Sequence, residues 1–267
     1  VYVAYASGGS AWGINCASSN TVNIQNNIIG GIDVTGTTSS TASGFIGIDA
    51  SGTGLFSINN NSVGNDLPDN IRTGYLLTGA NLSNTAVTPT AASGSSAVHG
   101  IRSSAVAAAL TITNNLVHGI QVSGTATAYN GITNSGAVTG TINLNNNQLG
   151  NIDAGAVRFM FNNTGVVTGI SNTGATATTT VNLNNNSIEG ISAVSLTSNL
   201  TGILSSANAG VAININNNNL GSASADFNTY SAATSNTIFG FFNSGGVAGS
   251  TAISISNNNI RGILHSV

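Results

Sequence analysis

Seven copies of one short pattern dominate the sequence: two aliphatic residues separated by a single residue, a run of asparagine, another aliphatic residue and usually glycine. The copies begin at Val22, Phe56, Leu110, Ile142, Val181, Ile213 and Ile253. Successive copies start 34, 54, 32, 39, 32 and 40 residues apart. A fixed motif with variable spacing is typical of stacked structural units that carry loops of different length on one side. The pattern therefore predicts a repeat architecture.

Three recurring elements within each period predict short β-strands. The aliphatic residues alternate, as at Ile142 and Leu144, which is the pattern of a strand with one buried face. Asparagine then turns the chain, because it tolerates left-handed backbone conformations. A second short strand is expected over residues 149–152, and a third begins at a glycine followed by an aliphatic residue, as at Gly131 and Ile132.

Three strands joined by turns make one rung of a parallel β-helix. The sequence thus predicts an all-β fold, a single β-solenoid domain over residues 1–267 with about seven rungs of roughly 32–54 residues. A partial rung is expected at each end, and a long loop insertion at about residues 66–99. A β-propeller is the alternative all-β reading. It is disfavoured because a blade needs four strands and aromatic packing positions, whereas the shortest period here is 32 residues and aromatic residues are only 5% of the chain.

One asparagine per copy is predicted to stack on its equivalent in the next rung. Side-chain amides held about 4.8 Å apart, which is the strand spacing, can each donate to one neighbour and accept from another. Three consecutive asparagines cannot all point inward, so we expect a partly buried ladder at one corner. The predicted ladder residues are Asn26, Asn60, Asn114, Asn146, Asn185, Asn217 and Asn257.

The scarcity of charge excludes several classes of function. Charged residues are 4% of the chain, against about 25% in a typical globular domain. There is no lysine, and the four basic residues are Arg72, Arg102, Arg158 and Arg261. A nucleic-acid partner would need a basic face to neutralise phosphates, and four dispersed arginines cannot form one. No run of about 18 apolar residues is present, so membrane insertion as a helix is not expected.

No motif in the sequence predicts catalysis, a metal site or a cofactor. Asp66 and Asp69 are the only close pair of acids, and they flank Pro68 as turn residues do. His118 occupies the place that Gly150 fills in another copy, which suggests that this place merely tolerates polar residues. Neither a metal-binding cluster of histidine and cysteine nor a phosphate-binding loop is present. We therefore expect no enzyme activity, no catalytic residue, no metal and no cofactor.

The I-x-L-x-N-N-N-x-[IL]-x-G-I pattern, repeated from Gly13 to Ile263, resembles the asparagine-rich parallel β-helix (β-strand repeat) proteins of bacterial surfaces. These are large secreted proteins of the adhesin and filament type. The resemblance implies export, an extracellular or cell-surface location and a structural or adhesive role. Enzymes with related coils carry a cluster of charged residues in a cleft, which this chain lacks, so the resemblance assigns no catalytic residue.

The two ends of the sequence show no polar cap, although a solenoid needs caps to remain a soluble monomer. We therefore predict that Val1 and Val267 mark assembly ends and that copies stack head to tail in a filament. Seven rungs predict a rise of about 34 Å per copy. The same coils could equally belong to one giant adhesive stalk. A carbohydrate-binding or carbohydrate-processing β-helix, with surface glycans as partners and the long loop as its site, remains the alternative.

Overall fold

The chain coils through four parallel β-sheets in a computed structural model, which describes residues 2–5, 9–36, 40, 42–76 and 90–265, with the backbone alone at 2–5, 75 and 76. The described part contains strands, turns and no helix. The predicted all-β parallel solenoid of about seven rungs is confirmed.

Within the described residues, twenty-nine strands, numbered in chain order, make up the four sheets. Sheet 1 holds the longest strands: β2 (Ser10–Ser18), β6 (Gly44–Gly52), β10 (Ala92–Ser103), β14 (Gly124–Asn134), β18 (Val167–Asn172), β22 (Leu200–Ser205) and β26 (Ile238–Asn243). Sheet 2 holds the start of each asparagine motif: β3 (Val22–Gln25), β7 (Phe56–Asn59), β11 (Ala109–Thr113), β15 (Thr141–Asn145), β19 (Thr180–Asn182), β23 (Ala212–Asn216) and β27 (Ala252–Ser256). Sheet 3 holds two-residue strands: β4 (Ile28–Ile29), β8 (Ser62–Val63), β12 (Leu116–Val117), β16 (Gln148–Leu149), β20 (Ser187–Ile188), β24 (Asn219–Leu220) and β28 (Asn259–Ile260). Sheet 4 closes the coil: β1 (Tyr2–Tyr5), β5 (Ile32–Gly36), β9 (Ile71–Leu76), β13 (Ile120–Val122), β17 (Val157–Phe159), β21 (Ile191–Ala193), β25 (Asn228–Tyr230) and β29 (Ile263–His265).

One strand from each sheet, in the order 1, 2, 3, 4, forms a coil, and coils 1 to 7 run from β2 to β29. Equivalent residues of neighbouring coils lie side by side. Ile112 of β11, for example, pairs with Ile58 of β7 and with Leu144 of β15. This constant register places each inward aliphatic side chain over its equivalent in the next coil. The inward side chains of the seven coils therefore form one continuous core.

Each coil has four strands rather than the predicted three. The second predicted strand is divided by a glycine with a left-handed backbone, such as Gly119 with φ 64° or Gly190 with φ 66°. This conformation bends the chain between sheets 3 and 4, and glycine adopts it without a steric penalty. In coil 4, Ile152 is 66% exposed outside any strand, and Val157 takes the inward place instead.

The recurring glycine before the third predicted strand lets sheet 3 pack directly against the backbone of sheet 1. A Cβ atom at Gly131 would lie 2.0 Å from Leu149 Cδ2, and one at Gly100 would lie 2.5 Å from Val117 Cγ1. The same clash occurs at every coil, because an aliphatic side chain of sheet 3 occupies the space above this glycine. The Gly-aliphatic pattern thus sets how closely two walls of the solenoid approach.

The predicted loop insertion at residues 66–99 is largely a normal part of the coil where the structure describes it. Strand β9 lies within this range, and Ile71 is fully buried between Ile32 and Ile120 of the neighbouring coils. The turn at Pro68 and Asp69 delays the strand by a few residues, which hid it from the sequence pattern. Residues 77–89 lie outside the described residues.

Candidate functional site: the asparagine ladder and the end coils

A ladder of asparagine side chains runs along the corner between sheets 2 and 3. Its members are Asn27, Asn61, Asn115, Asn147, Asn186, Asn218 and Asn258. Each of the first six donates both its backbone N–H and its Nδ2 to the Oδ1 of the next, over 2.8–3.2 Å. The predicted asparagine ladder is therefore present.

Each ladder amide after Asn27 also binds the coil before it. Nδ2 of Asn147, for example, donates to the carbonyl of Ile112 at 2.9 Å, while its Oδ1 accepts from Asn115. Asn147 is 1% exposed, and the other inner members are equally buried. A buried amide is stabilising only when its polar atoms are paired. One asparagine thus ties together three successive coils.

The ladder lies one residue after the position predicted from the sequence. The seven predicted residues have left-handed backbones, with φ between 55° and 59°, and exposed side chains: Asn26, Asn60, Asn114, Asn146, Asn185, Asn217 and Asn257. Simple alternation from the preceding aliphatic residues would point these side chains inward. The left-handed residue shifts the phase of the chain by one, so that the following asparagine points inward instead. These residues act as turn residues, which was also predicted for the asparagine run.

The ladder has a direction along the solenoid. The ladder asparagine of each coil donates to the ladder asparagine of the next coil. Among the described residues, the first asparagine of the ladder therefore offers a free acceptor, and the last offers a free donor. In the part of the chain that the structure describes, Oδ1 of Asn27 accepts no hydrogen bond, and the backbone N–H of Asn258 donates none. The two ends are therefore complementary to each other and not to themselves.

Coil 7 exposes the side chains that its predecessors bury. Ile253, Ile255, Ile260 and Ile263 face inward but are 46–53% exposed. Their equivalents in coil 6 are fully buried: Ile213, Ile215, Leu220 and Asn228. At the other end the difference is smaller, since Ile24 and Ile29 are 6% and 8% exposed. The residues named as assembly ends, Val1 and Val267, lie outside the described residues.

Most of the charge along the solenoid is neutralised by ion pairs between different coils. Arg72 contacts Asp33 with both Nε and Nη2 at 2.6 Å, and the two residues are paired in sheet 4. Arg102 and Asp49 form the same kind of pair in sheet 1 at 2.7 Å. Arg158 pairs with Asp69. Stacked arginines would repel along the axis, and these ion pairs alternate the sign of charge instead. No group of three metal-binding side chains occurs among the described residues.

Several aromatic side chains that could stack on a sugar ring are inside the solenoid, whereas Trp12 and Phe242 are 49% and 39% exposed. Tyr129, Phe159 and Tyr230 are 0–2% exposed, and Tyr129 packs edge-on against Phe159 with ring centroids 6.4 Å apart. A shallow groove of about 340 Å³ lies on sheet 4 between Arg158 and Leu264. This groove has an apolar floor but exposes little of any aromatic ring.

Comparison of the chain with protein-family models, with curated proteins and with solved structures finds no match. Within the described residues, no apolar helix is long enough to cross a membrane.

Proposed function

We propose that this chain is a structural protein of a bacterial surface, located outside the cell, whose coils continue end to end into a filament by head-to-tail association of copies. The observation that carries the proposal is the end face of coil 7, where four inward-facing isoleucines are half exposed. A further coil in the same register would bury them as coil 7 buries Ile213 and Ile215. The same contacts would serve a giant adhesive stalk in which the next coil belongs to the same polypeptide.

The magnitudes indicate which contacts hold such a stack together. Burying the exposed half of four isoleucines contributes about 4 kcal/mol, at about 1 kcal/mol each. Association costs roughly 4–15 kcal/mol, so the apolar contact alone is insufficient. The remainder would come from main-chain hydrogen bonds in four sheets and from the ladder. Because Asn258 ends as a donor and Asn27 begins as an acceptor, the ladder favours head-to-tail over head-to-head contacts.

The position of strand β1 determines the axial rise expected between successive copies of the chain. It pairs with β5 one level before coil 1, at the level that β29 of a preceding copy would occupy. A gapless stack therefore requires β1 to leave sheet 4, and it gives seven levels, or about 34 Å per copy. A stack that retains both strands has eight levels in sheet 4, or about 38 Å.

The test is electron microscopy of the purified protein with helical indexing. Filaments with a rise near 34 Å or 38 Å are expected, and the value decides between the two arrangements. Ile255→Asp places a charge on the end face and should leave discrete short rods. Ala252→Asp places the same charge on the same strand, at an exposed place with no side-chain hydrogen bond to lose, and should still assemble. Discrete rods from the unmodified protein at high concentration would contradict the proposal.

The location is tested separately by antibody labelling of intact cells of the source organism, which should detect the protein without permeabilisation. The second candidate function is carbohydrate binding at the groove on sheet 4, for which the apolar floor near Phe159 and Tyr230 is the supporting feature. A glycan array would detect it. Binding that disappears in Leu264→Asp would favour this alternative over a purely mechanical role.

A further inference from the structure

Three side chains with complementary chemistry meet on the outer side of the corner that follows sheet 3. Ser62 Oγ lies 3.3 Å from Nε2 of His118, and Nδ1 of the same ring lies 3.5 Å from Oδ1 of Asp66. A hydroxyl on one ring nitrogen and a carboxylate on the other is the arrangement that activates a serine as a nucleophile. Such sites are recognised by geometry and not by order in the sequence.

The coils hold these groups in place. Ser62 faces outward from β8, and His118 follows β12 in the next coil. The equivalent residue one coil earlier is Gly64, where a Cβ would lie 1.7 Å from the carbonyl oxygen of His118 and 3.3 Å from Cδ2 of its ring. Glycine at this place lets the His118 backbone approach closely, and the ring packs beside it. Asp66 lies in the turn after β8 and accepts a hydrogen bond of 2.6 Å from Asn151, which belongs to coil 4. Three successive coils thus build the site.

The environment favours the neutral, basic form of the ring. His118 is 1% exposed, and burial lowers its pKa below the usual value of 6.5, while the Asp66 carboxylate and a hydrogen bond to the Gly64 backbone oppose this effect. Nδ1 is buried, and within the described residues it has no neighbour in hydrogen-bonding geometry; the nearby carboxylate of Asp66 is the group it faces. A ring held with Nδ1 toward a carboxylate presents Nε2 as the proton acceptor.

We propose that Ser62, His118 and Asp66 form a nucleophilic site that accepts acyl groups from carboxylic esters. Ser62 Oγ attacks the acyl carbon and passes its proton to His118 Nε2, and the alcohol leaves with that proton as the ester C–O bond breaks. Water then attacks the acyl-serine, His118 takes a proton from the water and returns it to Oγ, and the carboxylic acid is released. Asp66 is a positioning residue that orients the ring.

The neighbours of Ser62 define the acyl group. Ile28 and Leu116 flank Ser62 in the same outward column of sheet 3, one coil on either side. Ile28 is 82% exposed, so an apolar chain can lie against it. The site therefore favours esters of short apolar acids.

Turnover at this site is expected to be slow. Ser62 Oγ also donates to the carbonyl of Gly64 at 3.1 Å and must leave that bond to reach His118. The backbone N–H groups of Ser62, Gly64 and His118 all donate to carbonyls of neighbouring coils, so they cannot stabilise an oxyanion. Losing such donors costs about 100- to 1,000-fold in rate. A covalent acyl-serine is thus easier to detect than multiple turnovers.

The experiment treats the full chain with a fluorophosphonate probe and, separately, with 4-nitrophenyl butyrate, and maps the modified residue by mass spectrometry. We expect time-dependent labelling of Ser62, none in Ser62→Ala, and labelling about 100-fold slower in His118→Gln. Ser187 is the matched internal control. It occupies the same column in β20, but its Oγ faces the carboxylate Oε1 of Glu189 at 3.3 Å, so it should remain unmodified.

Asp66→Asn keeps the exposed turn and an acceptor for Asn151, so it distinguishes a chemical role from a structural one. Asp66 is the charged group that acts on the ring, and it raises the pKa of His118. Its neutralisation should therefore move the midpoint of the pH profile of labelling to lower pH. Absence of label on Ser62, equal labelling of Ser187, or an unchanged rate in His118→Gln with an intact β-sheet spectrum would each overturn the proposal.

Discussion

The asparagine ladder provides the sharpest test of what stabilises the solenoid, because one of two adjacent asparagines is buried and the other is exposed. Asn147 is buried and binds three coils, whereas Asn146 is exposed with φ 57°. We predict that Asn147→Ala strongly destabilises the protein and that Asn146→Gly has little effect.

The magnitude follows from the groups that Asn147→Ala leaves without partners. The carbonyl of Ile112 loses its amide donor, and the buried backbone N–H of Asn115 loses its acceptor. Each orphaned buried group costs about 1–3 kcal/mol, so the expected loss is about 4 kcal/mol in total. Asn146→Gly keeps a residue that tolerates the left-handed conformation, and we expect a change below about 1 kcal/mol.

The assay is equilibrium unfolding in guanidinium chloride, followed by the β-sheet circular dichroism signal. Asn147→Ala should lower the denaturation midpoint while leaving its slope unchanged, since a change in slope would report a different exposed surface. If Asn146→Gly loses as much stability as Asn147→Ala, the ladder is not where the structure places it, and the reasoning is refuted.

Two further predictions concern the packing and the response to acid. Gly131→Ala should destabilise by about 3 kcal/mol, because its Cβ would overlap Leu149, and Gly131→Ala combined with Leu149→Ala should lose less stability than the sum of the two single variants in the same unfolding assay. Independent losses that simply add would contradict the contact. Burial, reinforced by the Arg102 charge, lowers the pKa of His99 to about 4 against 6.5 in the unfolded chain, so the unfolded state binds more protons between these values. Stability should therefore fall by about 3 kcal/mol as the pH drops through this window, and His99→Asn should remove that part of the dependence. An unchanged pH dependence in His99→Asn would show that other groups control it.

The repeat alone was sufficient to predict the parallel solenoid, its seven coils and the presence of a ladder. It failed on details that depend on single backbone conformations. Asparagine occurs at both Asn146 and Asn147 and at their equivalents in every copy, so residue identity could not distinguish the turn from the ladder. A left-handed residue at the first position shifts the alternation by one, and that rule could have been applied before the structure was known.

The fourth strand was missed for a related reason. A glycine inside an apolar run can end a strand or continue it, and only its backbone angle decides which. At Gly119 the left-handed φ ends sheet 3, whereas the glycine at Gly131 has an extended backbone and serves as a close contact between walls. The number of residues between a glycine and the next asparagine motif does not show whether that glycine ends a strand or forms a close contact between sheets.

Departures from the repeat carry the information about function that the repeat itself cannot. His118 stands where most copies have glycine, and in the sequence this looked like tolerance of polar residues. In the structure its ring is buried between Ser62 and Asp66, whereas Glu189, at the same place two coils later, offers Ser187 a carboxylate and no imidazole. A stack of equal coils requires only that each place be compatible with its neighbours. A buried, titratable ring beside the exposed Ile28 exceeds that requirement, so the corner at coils 2 to 4 is the place in the solenoid that the proposed chemistry would occupy.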